Sequence, residues 1–145
     1  MKREYPESPI VGVGAIIIDN GRVVLVKRAH APFLGEWSIP GGAIELAETT
    51  HDAVKREALE ETTLEVEPIS LLNVFDRIIR DNDERILYHY VLIDCLCRRM
   101  SGDLQAASDC DQARWFTEEE MSKLPLPKDT AAVIHQAFEN IARNS

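Results

Sequence analysis

Three carboxylates, Glu57, Glu60 and Glu61, lie within five positions of one another. At about 100° per residue, they share one edge of an α-helix. Like charges at this spacing repel each other and destabilise the helix, and no lysine follows to relieve them. Two interpretations of this acidic trio are open. It is either an exposed acidic face or a site for a hard divalent cation such as Mg²⁺, which binds carboxylate oxygens and keeps waters for substrate phosphates.

The residues around the acidic trio favour the metal site. A glycine is followed after five residues by a glutamate, and after seven more by Arg-Glu-Ala-Leu-Glu-Glu. This pattern over residues 42–64 resembles the signature of the Nudix hydrolases. The matching positions are Gly42, Glu48, Arg56, Glu57, Ala58, Glu60, Glu61 and Leu64. One position departs from the signature, because Thr63 stands where the family has glycine.

The resemblance implies a role for each of these residues. The acidic trio holds a divalent ion, Mg²⁺ or Mn²⁺, and Glu57 is a metal ligand, the general base or both. The backbone carbonyl of Gly42 ligates the same ion, and glycine suits this position because the backbone must come close to the metal. Arg56 pairs with a carboxylate such as Glu48 and braces the loop against the helix, which is a structural rather than a catalytic role.

The threonine at position 63 bears on how the helix ends. A glycine just past a helix normally supplies the left-handed residue that closes the C-terminus. A β-branched residue such as Thr63 disfavours that conformation by roughly 1–2 kcal/mol. Either the helix ends in a different turn, or the threonine is strained. Neither outcome alters the carboxylates directly.

Two apolar, β-branched runs precede the helix, at residues 11–18 and 22–27. The dipeptide Asn20-Gly21 between them predicts a two-residue hairpin turn with both residues at positive φ. In the first run, Gly12 and Gly14 leave one face of the strand bare. This face either packs closely against neighbouring backbone or leaves room for a flat ring against the sheet.

Two cations follow the second run, at Lys27 and Arg28. A charged strand end is often only a solvated edge. In so acidic a chain, however, cations upstream of a metal site are candidate contacts for substrate phosphates. The resemblance points to Arg28, whose planar guanidinium matches phosphate oxygens.

Strand patterns resume after the helix, at residues 69–75 and 86–97. The charged segment 77–85 between them predicts an exposed loop. A short strand follows at residues 113–116, and a capping box from Thr117 opens a short helix. A final amphipathic helix is predicted from about Thr130, with Asp129 as its N-cap.

The whole composition limits the classes of function. The chain has 145 residues, enough for a single domain over residues 1–145, and its formal charge is −9. That charge argues against a general binder of nucleic acid polymers or of anionic membranes. No leader pattern or membrane-spanning apolar run is visible, so a cytoplasmic location is expected. The three cysteines have no metal-type spacing and are predicted to be small buried residues.

The order of elements predicts a mixed β-sheet flanked by helices. The resemblance implies the Nudix-type α/β/α sandwich and metal-dependent hydrolysis of a phosphoric anhydride bond in a small-molecule nucleotide. The first substrate class is a nucleoside diphosphate derivative, ADP-ribose or a nucleotide sugar. The alternatives are a nucleoside triphosphate pyrophosphohydrolase and a non-catalytic nucleotide-sensing module. A homodimer is common among such proteins, but no feature of this sequence requires one.

Overall fold

The computed structural model describes residues 2–30 and 33–143. Within these ranges the chain forms seven strands and three helices. In order they are β1 (Ile10–Asp19), β2 (Arg22–Arg28), β3 (Trp37–Ser38), β4 (Gly41–Ala43), α1 (Thr50–Thr62), β5 (Glu65–Arg80), β6 (Ile86–Ser101), β7 (Cys110–Thr117), α2 (Glu118–Ser122) and α3 (Lys128–Arg143).

The strands form one mixed sheet. Its main path runs β3-β2-β1-β6-β5, while β4 pairs with β1 and β7 pairs with β2. The pair β1–β6 is parallel, and the other pairs are antiparallel. Because β4 joins β1 on the side away from β6, the residues that open the predicted signature lie next to the central strand.

Helices cover both faces of the sheet. On one face the apolar stripe of α1, formed by Ala53, Val54 and Ala58, packs against alternate residues of β1 and β6. On the other face α3 packs its Val133 and Ile134 against the remaining alternate residues. This arrangement confirms the predicted α/β/α sandwich with a mixed sheet. No helix in the described ranges has the length and apolar character needed to cross a bilayer.

Local turn and cysteine predictions are also confirmed. Asn20 and Gly21 have φ values of 51° and 72°, as a two-residue hairpin turn requires. Thr117 and Glu120 form the reciprocal capping box at the start of α2. The cysteines Cys95, Cys97 and Cys110 are free and buried.

The prediction of a loop over residues 77–85 was wrong. Strand β5 continues to Arg80, and only residues 81–85 connect it to β6. Arg77 and Arg80 are therefore strand residues, paired in register with Tyr90 and Ile86. Arg77 and Arg80 are three positions apart, so their charges do not follow the strand period of two, and the sequence pattern did not indicate a strand here.

The predicted start of β5 was also late. The strand begins at Glu65 and contains Pro68, at a point where the register with β6 shifts. Proline lacks a donor for the ladder and is tolerated on an edge strand or at a bulge. In the described sheet β5 pairs with β6 alone, so both conditions are met.

The predicted cap of the last helix was wrong as well. Helix α3 begins at Lys128, and the N–H of Ala131 donates to the carbonyl oxygen of Pro127 at 3.0 Å. Asp129 thus lies inside the first turn. Both of its carboxylate oxygens accept from Nη2 of Arg77 at 3.0 Å, and Oδ1 also accepts from the N–H of Thr130 at 2.9 Å, so the side chain joins a distant ion pair to the first turn of the helix.

Candidate active site

Helix α1, which carries the acidic trio, is capped at both ends. Oγ1 of Thr49 accepts from the N–H of Asp52 at 3.1 Å. At the other end Thr63 has a φ of 61°, which makes it the strained left-handed threonine. Its N–H donates to the carbonyl of Leu59 at 3.0 Å, and its hydroxyl donates to the carbonyl of Asp103 at 2.5 Å. These bonds hold the residue in a conformation that threonine disfavours.

Arg56 connects the helix to the loop before it. Its Nε and Nη2 donate to the two carboxylate oxygens of Glu48 at 2.6 and 2.8 Å. Nη2 also donates to the carbonyl of Ala43 at 3.1 Å, and Nη1 donates to Oε1 of Glu57 at 2.7 Å. The hydrogen bond from Arg56 is the main reason why the pKa of Glu48 falls to about 2. Arg56 therefore orients a carboxylate of the acidic trio while fixing the loop.

Glu61 is the most buried of the acidic trio, at 5% exposure. Its Oε2 accepts from Nη1 of Arg28 at 2.5 Å, and its Oε1 accepts from the N–H of Gly41 at 2.9 Å. Arg28 also donates to the hydroxyl of Ser38 and the carbonyl of Ile39. The predicted phosphate contact and a predicted metal ligand are thus ion-paired with each other.

Glu57 lies directly against the glycine that opens the signature. A Cβ on Gly42 would lie 2.6 Å from the carboxyl carbon of Glu57, so no larger residue fits there without movement. Burial raises the pKa of Glu57, while the hydrogen bond from Arg56 opposes this shift. Glu60 is half exposed, and its Oε2 lies 3.4 Å from Arg56.

The acidic end of the site has more carboxylates than cations. Arg28 and Arg56 lie within 4 Å of five glutamates. These are Glu45, Glu48, Glu57, Glu60 and Glu61. Among the residues that the structure describes, no three His, Cys, Asp or Glu side chains already converge as ligands. The surplus of hard oxygen donors and the bare backbone at Gly42 nevertheless fit a divalent cation.

The acidic trio lines one end of a cleft of about 640 Å³. Arg28 lines this end as well, whereas Lys27 is not among the described residues that line the cleft. Of the two aspartates on either side of Cys110, the exposed Asp109 lines the cleft and Asp111 does not. Part of the remaining lining is a sheet surface, here called the cleft floor, formed by Gly12, Gly14, Phe75, Tyr90, Leu92 and Asp94.

The two floor glycines allow close packing. A Cβ on Gly14 would lie 2.4 Å from Cδ1 of Ile39 and 2.5 Å from Oδ1 of Asp94. A Cβ on Gly12 would lie 2.9 Å from Leu92. Side chains of the protein therefore occupy the space directly above both glycines. The packing around these glycines is close, but side chains supply it and not the backbone that the sequence interpretation named, and they fill the space expected for a flat ring directly on the glycines.

Sequence reasoning gave no role to Asp94. This residue is 3% exposed in the middle of β6, and its Oδ2 has no hydrogen-bond partner among the described residues. Burial raises its pKa to about 6. An aspartate in the otherwise apolar run of residues 90–97 was the available signal, because such a residue is seldom buried without a partner.

Comparison with known proteins places this geometry in a family. The NUDIX domain family model matches residues 8–137. An ADP-ribose pyrophosphatase of Methanocaldococcus jannaschii is 34% identical over 91% of this chain and 76% of that protein.

Solved structures agree with the family match. The crystal structure of a MutT NUDIX hydrolase from Burkholderia pseudomallei has a TM-score of 0.77 and 34% identity, covering 90% of this chain and 98% of that one. An ADP-ribose pyrophosphatase from Streptococcus suis has a TM-score of 0.70 and 26% identity, covering 95% and 94%. With the acidic helix, the bracing arginine and the sandwich already in place, these matches show that the chain belongs to the Nudix hydrolase family.

Proposed function

We propose that this Nudix hydrolase cleaves the phosphoric anhydride bond of a nucleoside diphosphate derivative, using Mg²⁺ or Mn²⁺. The observation that carries the proposal is the position of the acidic trio and Arg28 at one end of a single cleft. Carboxylates suit the metal, and a guanidinium suits a phosphate oxygen. The floor beyond them is largely apolar, as expected where the remainder of a small ligand binds.

The proposed reaction divides one diphosphate into two phosphate monoesters. A water oxygen forms a bond to one phosphorus as the bridging P–O bond breaks, and the second phosphate leaves with its electron pair. Glu57 accepts the proton of the attacking water and later releases it to solvent. A bound divalent ion would neutralise charge on the transferring phosphoryl group.

Two features of Glu57 support its assignment as the base. Its burial raises the pKa of its carboxyl, and a base works best when its pKa approaches the operating pH. The hydrogen bond from Arg56, at 2.7 Å, holds one carboxylate oxygen and leaves the other for the water. Glu60 and Glu61 are then assigned to the metal, together with the carbonyl of Gly42.

ADP-ribose or a nucleotide sugar is the first substrate class. The relatives from Methanocaldococcus jannaschii and Streptococcus suis are both named as ADP-ribose pyrophosphatases. The cleft volume of about 640 Å³ falls within the range of about 300–1,000 Å³ typical of small-molecule sites. Nucleoside triphosphates are the alternative class, and both classes belong in one assay.

The test is hydrolysis of a panel of ADP-ribose, nucleotide sugars, dinucleotides and nucleoside triphosphates, followed by phosphorus NMR. The panel is run with Mg²⁺, with Mn²⁺ and with excess chelator. We expect metal-dependent release of two phosphate monoesters from ADP-ribose or a nucleotide sugar. Turnover that persists undiminished in chelator would remove the metal from the mechanism, and pyrophosphate released from a triphosphate as the best substrate would select the alternative class.

A further inference from the structure

Asp94 is the one residue of the cleft floor whose chemistry is left incomplete. It lies on β6 opposite Gly14 of β1, and its residue exposure is 3%. Its Oδ2 has no hydrogen-bond partner in the described part of the chain. Buried polar groups in folded proteins are hydrogen-bonded in the large majority of cases, so such a carboxylate calls for a specific explanation.

The arginine that acts electrostatically on Asp94 is already engaged elsewhere. Arg77 of β5 and Asp129 of α3 both act electrostatically on Asp94, the first favouring its ionised form and the second opposing it. Nη2 of Arg77, however, donates to both carboxylate oxygens of Asp129 at 3.0 Å, and its guanidinium lies 5.6 Å from the ring centre of Phe75. Asp94 is therefore left without a donor although a guanidinium is close.

The surroundings of Asp94 indicate which ligand group it can accept. Apart from the ion-paired Arg77, the lining beside it includes Phe75, Leu92 and the half-buried Tyr90, and Ile39 approaches from the loop. These are the flat and apolar contacts that a heteroaromatic ring prefers. A second phosphate would be repelled by the carboxylate, whereas a ring edge with an N–H group would supply the missing donor.

The spacing from the acidic end also suits a nucleotide. Gly14 pairs with Asp94 on one side and with Gly41 on the other, and Gly41 donates to Glu61. The strand of Asp94 therefore lies two strand spacings from the strand that contacts the acidic trio. This separation is about 10 Å. A nucleoside can span this distance from its phosphate to its base.

We infer that Asp94 determines nucleobase specificity by accepting a hydrogen bond from an N–H group on the edge of the substrate's base. The inference rests on the proposed function, because it assumes that the diphosphate binds at the acidic end. The occupant is a nucleobase that carries an amino or ring N–H donor. Asp94 takes no part in the bond-breaking step.

The test uses nucleoside diphosphate sugars that share one sugar and differ in base: adenine, guanine, cytosine and uracil. kcat/KM is measured with Mg²⁺ for the wild type, Asp94→Asn and Asp94→Ala. For the base that the wild type prefers, we expect Asp94→Ala to lose about 10- to 100-fold in kcat/KM, mainly through KM, since a hydrogen bond to a charged group is lost. For the base that the wild type hydrolyses least well, kcat/KM should change little, so the difference among the four bases should become smaller.

A matched control separates this effect from a general loss of acidic charge. Asp76→Asn makes the same chemical change at an exposed position of β5, on the face opposite Phe75 and Arg77. We expect this variant to keep the wild-type ranking of the four bases. If the Asp94 variants also keep that ranking while turnover persists, the inference is overturned.

A second series holds the base fixed and varies the sugar. An Asp94→Asn effect that follows the sugar and not the base would assign the contact to a sugar hydroxyl and overturn the inference. If the wild type hydrolyses none of these compounds, the proposed function fails, and calorimetric binding of the four nucleosides alone then tests Asp94 separately. Base-selective binding that Asp94→Ala abolishes supports the inference, and binding that is absent or unchanged overturns it.

The melting temperature distinguishes a ligand contact from a structural residue. Because Oδ2 of the carboxylate finds no donor among residues 2–30 and 33–143, Asp94→Asn should melt at the same temperature as the wild type or several degrees above it. A fall of several degrees would mean that Asp94 supports the fold, and would count against the inference.

Discussion

The two ends of the cleft treat their carboxylates in opposite ways. At the acidic end, Glu48 and Glu61 each accept short hydrogen bonds from an arginine. At the cleft floor, Asp94 is slightly more buried than Glu61, with 3% against 5% exposure, yet its Oδ2 has no partner in the described chain. One end is held in position by its own contacts, and the other lacks a contact that a ligand could supply.

The acidic end and the cleft floor are therefore suited to a ligand in two different ways. Arginine partners fix the geometry of the acidic end and reduce the repulsion within it before any metal or phosphate arrives. Burial of the unpaired carboxylate of Asp94 has an unfavourable desolvation free energy, and a ligand group that donates a hydrogen bond to it would offset part of that free energy. A protein retains such a destabilising group where activity requires it, which makes the floor a place to look for selectivity.

The largest expected effect is at the acidic end. Glu57→Gln keeps the size and shape of the side chain but removes the proton acceptor, so we expect kcat to fall by ~10²–10⁴ with Mg²⁺ saturating. The matched control is Glu119→Gln, an exposed position on α2. Activity of Glu57→Gln within tenfold of the wild type would move the base to another residue.

Besides its expected effect on kcat/KM, the cleft floor should show an effect on stability. The pKa of Asp94 is raised from its ordinary 3.8 to about 6, so above pH 6 the folded state must hold an ionised carboxylate that burial disfavours. Wild-type stability therefore falls between pH 4 and pH 6, and Asp94→Asn avoids this loss. We expect the advantage of Asp94→Asn in unfolding free energy to grow by about 2–3 kcal/mol from pH 4 to pH 7.

Urea unfolding across this pH range measures the difference. A constant difference between Asp94→Asn and the wild type would show that the carboxyl titrates normally in the folded protein. The contrast between the two ends of the cleft would then be lost.

At the acidic end of the cleft, the change of stability with pH should have the opposite sign. The hydrogen bond from Arg56 lowers the pKa of Glu48 from 4.5 to about 2, so its contribution to stability is complete above pH 4.5 and disappears as the pH falls through 2. Glu48→Gln should therefore be less stable than the wild type at neutral pH and equal to it near pH 2. A gap that widens on acidification would contradict the bracing role of Arg56. The same unfolding series provides the measurement.

The smallest effect concerns the end of α1, outside the cleft. Thr63→Gly and Thr63→Ala both lose the hydroxyl bond to Asp103, and they differ chiefly in how well they adopt the left-handed φ of 61°. We expect the glycine variant to be more stable than the alanine variant by about 1 kcal/mol, measured by urea unfolding. Equal stabilities would mean that the turn relaxes when the threonine is removed.

Much of the fold was predictable because its signals are local. Asn20-Gly21 requires a particular turn, and Thr49 with Asp52 marks a helix start, so both are visible in a few neighbouring residues. The close spacing of the acidic trio and its relation to Arg56 are set by the helical period in the same way.

The misplaced elements depend on distant contacts. Arg77 belongs to a strand because it pairs with Tyr90 of β6. Asp129 lies in the first turn of α3 and not at its N-cap, and its carboxylate pairs with Arg77, which is far away in the sequence. The ion pair between Arg28 and Glu61 joins residues 33 positions apart. The lone aspartate in an apolar run marks Asp94 in the sequence, but the lack of a hydrogen-bond partner for its Oδ2 among the described residues is visible only in the structure.

The most direct test of the central claim is a crystal structure with Mn²⁺ and a non-hydrolysable nucleoside diphosphate derivative, with the metal located by anomalous scattering. We expect Mn²⁺ bound by the carboxylates of Glu57, Glu60 or Glu61 and in contact with the diphosphate. Anomalous peaks elsewhere, with these carboxylates still engaged by Arg28, Arg56 and the N–H of Gly41, would contradict the claim that the acidic edge of α1 holds the metal.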